Sequence, residues 1–167
     1  KYGVAIQVIQ YNPANDVIVP RKQQKEKATV KYLDNKELKQ FLDYLDALDQ
    51  SNYENLFDVV LYKTLLATGC RISEALALEW SDIDLESGVI SINKTLNRYQ
   101  EINSPKSSAG YRDIPIDKAT LLLLKQYKNR QQIQSWKLGR SETVVFSVFT
   151  EKYAYACNLR KRLNKHF

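Results

Sequence analysis

The chain has 167 residues, 44% apolar and 26% charged, with a net charge of +6. That is the length of one ordinary domain, able to build a core without disulfides or metals, and the composition of a soluble globular protein. No apolar run approaches the roughly 18 residues a membrane helix needs, the N-terminal KYGVAIQVIQ lacks signal-peptide features, and two distant cysteines, Cys70 and Cys157, argue against a zinc site or a disulfide framework.

In chain order, residues 1–11 read as the end of a helix, apolar at Val4, Val8, Ile9 and Tyr11, and stopped by Asn12-Pro13. Residues 12–31 read as a linker with two prolines and a basic cluster at Arg21, Lys22, Lys25 and Lys27. Residues 32–48 carry a helix-start signal. Asp34 caps, Glu37 completes a capping box, and Leu33 and Leu38 are placed as a hydrophobic staple. Leu38, Phe41, Leu42, Leu45 and Leu48 then repeat at helical spacing. Tyr53 to Thr68 predicts a second helix, apolar on several sides and therefore central. Gly69 suits its C-terminal end. A third helix is expected over 72–78, with Ser73 and Glu74 in its first turn.

The period then changes. Val89–Ile92 reads as a strand after a turn, with further strand-like pieces near 95–101 and 112–116. The Ser/Pro/Gly-rich segment 103–110 between them is a loop or turn. Helix resumes over 118–132. A short buried or extended piece occupies 144–149, and a last helix covers 151–166, crowded on one side by Arg160, Lys161, Arg162 and Lys165. The fold class expected is α+β, mainly helical: a helical bundle with a small inserted antiparallel three-stranded sheet.

Charge is segregated. Residues 1–31 carry six Lys/Arg and two Asp/Glu, 32–93 carry four and twelve, and 94–167 carry fifteen and five. Basic ends around an acidic middle suit a phosphate-backbone partner; a solvated basic face is the plainer alternative. Arg71 follows Thr68-Gly69-Cys70 at a helix start, where a guanidinium fork can hold two phosphate oxygens and helix amides favour an anion. Taken singly, Arg71 also fits a surface residue or a partner of Glu74. Lys106, in a Pro-Lys-Ser-Ser turn between strands, can donate a proton or bind phosphate; singly, it also fits an ordinary exposed lysine.

The two motifs together are more restrictive. TGCRISEALALEWSDIDL, then a β segment, then PKSSAGYRDIPI, resembles the front half of the catalytic domain of tyrosine recombinases, the phage and transposon integrases. The resemblance covers about residues 32–167 as a partial catalytic domain. Residues 1–11 would end the preceding core-binding domain, and 12–31 would be the basic interdomain linker. It implies that Arg71 is the first catalytic arginine, stabilising charge on the scissile phosphate. It implies that Lys106 is the hairpin lysine that protonates the departing 5′ oxygen, and that Glu74 orients the site and holds Arg71. Lys94, Arg112, Arg21 and Lys22 are candidate DNA contacts, with strand-edge roles equally open for Lys94 and Arg112. Leu76, Leu78 and Trp80 read as core.

The family reaction uses no metal, nucleotide or other cofactor. A tyrosine attacks a DNA phosphate and forms a 3′-phosphotyrosyl link. Its partners are duplex DNA at recombination sites and further copies of the protein, a tetramer on DNA. The reaction also needs His-x-x-Arg, a further His or Trp, and the tyrosine. His166 is followed only by Phe167, so none of the eleven tyrosines is assigned as nucleophile. The chain is therefore expected to be a cytoplasmic fragment of a recombinase, inactive alone, with apolar surface exposed near its last helix. A naturally truncated, non-catalytic DNA-binding module is the alternative. A protein-contact role for the acidic segment 32–58 leaves the settings of Arg71 and Lys106 unexplained.

Overall fold

The computed structural model describes residues 7, 8, 10–12, 15, 32–105 and 107–164. The chain divides into two compact units, Lys1–Glu37 and Leu38–Phe167. In the first, Asn15 N–H donates to the Asn12 carbonyl at 3.1 Å. The expected helix over 1–11 is not formed where it is described: residues 7, 8, 10 and 11 are turns and bends, with Gln7 at φ 57. The linker residues Arg21 and Lys22 lie outside the described residues.

Helix α1, Asn35–Ala47, starts on the capping box the sequence announces. Asp34 N–H donates to Glu37 Oε2 at 2.9 Å, and Glu37 N–H donates back to Asp34 Oδ1 at 2.8 Å. Helix α2, Tyr53–Thr68, begins on Asn52, whose side chain accepts from Glu54 N–H. It is the central helix, burying Leu56, Phe57, Val59, Val60, Leu61 and Thr64. Phe41 and Leu45 pack with Val59 in a small cluster beside the main core. Helix α3 is only Ile72–Ala75, shorter than expected. Its continuation is drawn into the core instead, with Leu76, Ala77 and Leu78 all buried.

A 3-10 turn at Trp80–Asp82 leads to strands β1 (Ile83–Asp84), β2 (Val89–Ile92), β3 (Thr95–Leu96), β4 (Ile102–Asn103) and β5 (Arg112–Pro115). The three-stranded antiparallel sheet exists, but its order is β1-β2-β5, with Ile90 facing Ile83 on one side and Ile114 on the other. Strands β3 and β4 form a separate two-stranded hairpin with Leu96 opposite Ile102. The segment 104–111 thus joins one sheet to the other, rather than capping a hairpin. The missed strand, β1, is two residues long, below the length at which alternation shows.

Helix α4 runs Lys118–Lys137, capped by Asp117 on two amides. It extends past the expected 132 because its polar second half still buries Gln131 and Ser135. The Gln131 side chain accepts from Trp80 Nε1 at 2.6 Å and donates to the Val144 and Val145 carbonyls at 3.1 and 2.9 Å. The piece near 144–149 is buried as expected at Val144, Val145 and Phe146, and is tied to the core by Val145 N–H on the Leu78 carbonyl at 2.9 Å. Helix α5 is Ala156–Leu163. It starts later than expected because Tyr153 and Ala154 enter the core before the chain turns helical. Along its start, Leu76, Leu96, Ala154, Tyr155 and Cys157 line an open groove of about 280 Å³. No helix among the described residues is long and apolar enough to cross a membrane.

Candidate active site

Arg71 is delivered by the way α2 ends. The Thr68 hydroxyl donates to the Thr64 carbonyl at 2.7 Å. Gly69, at φ 61, donates its N–H to the Leu65 carbonyl at 2.9 Å. Side chains strain that backbone geometry and glycine does not, so the reversal fits in one residue. Cys70 turns inward, and burial raises its thiol above the ordinary range. Arg71 follows in extended conformation, φ −70 and ψ 148, with its side chain 76% exposed. The favourable helix end expected beside Arg71 amounts to little, because four residues align few peptide dipoles.

What orients Arg71 is Glu74, whose side chain is only 8% exposed. Glu74 Oε2 accepts from the Arg71 amide at 2.9 Å, and Oε1 accepts from Arg71 Nη1 at 2.9 Å. A third bond comes from across the fold: Arg112 Nη2 on β5 donates to Glu74 Oε2 at 2.7 Å. Desolvation by itself would raise the Glu74 carboxyl. The Arg112 hydrogen bond, then the Arg71 amide and guanidinium, outweigh it and hold the carboxyl down at about 2. A carboxylate so held is a fixed negative post that leaves one edge of the Arg71 fork facing solvent.

Arg71 and Glu74 line a cleft of about 340 Å³ with Lys94, Thr95, Pro105, Ser107 and Gly110. Lys106 lies outside the described residues, but both its chain neighbours, Pro105 and Ser107, are on this wall. The loop is tight at its base. A Cβ on Gly110 would sit 2.4 Å from Pro105 Cβ, so only glycine permits this approach. Lys94 and Arg112, expected as phosphate contacts, both have their cationic heads engaged inside the protein. Lys94 Nζ is 2.7 Å from Glu79 Oε2 and 2.9 Å from Asp82 Oδ2. Arg112 also reaches the Gly110 carbonyl through Nη1 at 3.4 Å. The Glu79–Asp82–Lys94 cluster and the Arg112–Glu74 pair were not visible in the sequence as contacts. Their only trace is the three-residue spacing of Arg71 to Glu74 and of Glu79 to Asp82.

The sequence profile of the phage integrase family matches residues 31–166. The chain belongs to the phage integrase family. This integrase-family chain is 29% identical over 132 residues to the prophage ps2 probable integrase of Lactococcus lactis, covering 74% of this chain and 34% of that protein. It is 30% identical over 119 residues to the ICEBs1 integrase of Bacillus subtilis, covering 60% and 32%. The prophage integrase IntR of Escherichia coli is 36% identical over 69 residues, covering 41% and 17%. The chain thus spans about a third or less of the length of these relatives. A Tn1549 transposon integrase in complex with transposon right end DNA has the same fold, with a TM-score of 0.67 at 22% identity over 99% of this chain and 55% of that one. The α+β fold read from the sequence is that of integrases.

Proposed function

We propose that this chain forms the phosphate-binding face of a metal-independent tyrosine recombinase that cuts and rejoins duplex DNA. The observation that carries the reading is the exposed Arg71 fork on a buried carboxylate, at the mouth of a cleft whose other wall flanks Lys106. A non-bridging oxygen of the scissile phosphate would accept from the free edge of Arg71. As a nucleophilic oxygen attacks phosphorus, negative charge grows on the non-bridging oxygens, and Arg71 stabilises it. The bond to the 5′ oxygen breaks, and Lys106 supplies the proton that oxygen takes. Among the described residues no tyrosine lines the cleft, so the reading assigns the nucleophile to none of them.

Arg21 and Lys22 would follow the DNA backbone from the linker, and Arg160 and Lys161, exposed on α5, would be further backbone contacts. Lys94 and Arg112, with their charges engaged by Glu79, Asp82 and Glu74, would support the cleft rather than bind phosphate, and self-association on paired DNA sites completes the expected assembly. The test is strand cleavage of a nicked suicide duplex by an intact recombinase carrying this segment. Arg71→Ala is expected to slow cleavage by roughly 10²–10³-fold and Lys106→Ala by roughly 10²–10⁴-fold, each keeping most of its DNA affinity. Near-normal cleavage by either variant removes that residue from the mechanism. The charge segregation favours a second reading, DNA binding without cleavage. On it, affinity falls steeply with salt while neither substitution changes any strand cut.

A further inference from the structure

We infer that Arg112 is a positioning residue that fixes the Arg71 guanidinium relative to the loop carrying Lys106. The inference rests on the proposed recombinase reading and adds a residue to it. Two segments that are distant in sequence, 71–74 and 110–112, meet on one guanidinium. Through Nη2, Arg112 donates to Glu74 Oε2 at 2.7 Å, the same oxygen that accepts the Arg71 amide. Through Nη1 it faces the Gly110 carbonyl at 3.4 Å. Its own backbone is fixed by the sheet, where Arg112 stands opposite Ile92.

Each of these anchors has a second contact of its own. Glu74 is buried, and its other oxygen already holds Arg71 Nη1. Gly110 sits against Pro105 at the base of the loop, in an approach that leaves no room for a side chain. The fork therefore spans from the carboxylate that holds Arg71 to Gly110, at the foot of the loop whose sequence contains Lys106. A planar guanidinium with several donors in a fixed geometry can make this bridge, whereas the single ammonium of lysine reaches only one end of it. Exposure separates the two arginines: the Arg112 side chain is 31% exposed against 76% for Arg71. The more sheltered one faces protein acceptors, and the more open one faces the cleft.

A phosphate contact at Arg112 is the rival, and it makes different predictions. The experiment uses an intact recombinase carrying this segment, with Arg112→Gln, Arg112→Lys, Arg71→Ala and the double variant Arg71→Ala/Arg112→Gln. Single-turnover cleavage is read at saturating duplex, and duplex affinity is read across a salt series. Misplacing a catalytic group by about 1 Å costs up to roughly 10²-fold, so Arg112→Gln is expected to slow cleavage about 10–100-fold. Duplex affinity and its salt slope are expected to stay as in the parent. Arg112→Lys, which keeps a cation opposite Glu74 and serves if the glutamine variant does not fold, is expected to show the same loss. The double variant is expected to cleave no more slowly than Arg71→Ala alone, because Arg112 acts through Arg71. Additive losses would overturn the inference, as would full activity in Arg112→Lys. A salt slope reduced by about one would also overturn it, by making Arg112 a phosphate contact. If Arg71→Ala itself cleaves normally, Arg71 leaves the proposed mechanism and this inference fails with it; if the unsubstituted protein cuts no strand, the recombinase reading itself fails. If only Arg112→Gln cleaves normally, this inference fails alone.

Discussion

Two carboxylate nodes lie a few residues apart in this chain and use the same local device to opposite ends. In each, a carboxylate three residues into a short turn accepts the amide that opens it: Glu74 from Arg71 at 2.9 Å, and Asp82 from Glu79 at 2.8 Å. Each then takes a cation from the β region, Arg112 for Glu74 and Lys94 for Asp82. They differ in what remains outside. At the first, Arg71 is 76% exposed and its fork is half free. At the second, Lys94 is 18% exposed, its ammonium is shared by Glu79 and Asp82, and Asn93 donates to the remaining Asp82 oxygen at 2.9 Å. A closed node stabilises the junction between the helices and the sheet. An open node leaves a prealigned cation facing solvent.

The largest expected effect comes from removing the hub of the open node. Glu74→Ala leaves Arg112 and the Arg71 amide without their buried acceptor, and breaking such a pair costs about 3–5 kcal/mol. Urea denaturation of the 167-residue chain would read it. A change below about 1 kcal/mol would mean that water replaces the carboxylate and that the node is not a structural post.

Acid should give the same answer without a substitution. The Glu74 carboxyl is held at about 2 against an ordinary 4.5, so the folded state binds its proton less readily than the unfolded chain. The stabilisation is therefore fully present above about pH 4.5 and is lost as pH falls through about 2. It amounts to something on the order of 3 kcal/mol. In Glu74→Gln this part of the acid dependence should vanish when denaturation is compared between pH 5 and pH 2. An unchanged acid slope would place the titration elsewhere.

The closed node is expected to be cheaper to open. Lys94→Met removes the cation, but Asp82 keeps the Glu79 amide and the Asn93 side chain, so the loss should be about 2 kcal/mol. Desolvation disfavours the Lys94 ammonium, yet the Glu79 and Asp82 hydrogen bonds prevail and raise its titration above the ordinary lysine range. Its contribution is therefore full below the unfolded value of 10.5 and is lost only as pH rises through the higher folded value. Cleavage by the intact enzyme is expected to fall less for Lys94→Met than for Arg71→Ala. The reverse order would exchange the roles assigned to the two nodes.

Much of this was legible from residue spacing. The Asp34–Glu37 box, the central character of α2 and the glycine exit at 69 each follow from local rules that the structure obeys. The core assignment of Leu76 and Leu78 holds as well. What was not legible is long-range pairing. Nothing in the run from 83 to 116 announces that β2 pairs with β5 while β3 and β4 pair with each other. Strands of two residues carry no period, and their partners are set by tertiary packing. The same blindness applied to Arg112. From its sequence setting it reads equally as a DNA contact or a strand-edge residue, and only the fold brings it to Glu74, 38 positions earlier. Lys106 shows the opposite limit, since its sequence motif is informative while its side chain lies outside the described residues.

The smallest expected effect is the most discriminating. Arg71 contributes one exposed ion pair to Glu74, and such pairs are worth about 0–1 kcal/mol. Glu74 in Arg71→Ala still has Arg112, and the backbone amide at position 71 is kept by any residue other than proline. Thermal and urea stability should therefore stay within about 0.5 kcal/mol of the parent chain, while the intact recombinase loses cleavage. A residue that is nearly dispensable for folding, yet held by two hydrogen bonds to a buried carboxylate that Arg112 also grips, has the organisation the proposed phosphate contact requires. If Arg71→Ala instead costs as much stability as Glu74→Ala, the two nodes are alike. Arg71 would then be a structural counter-ion, and its exposure would carry no functional meaning.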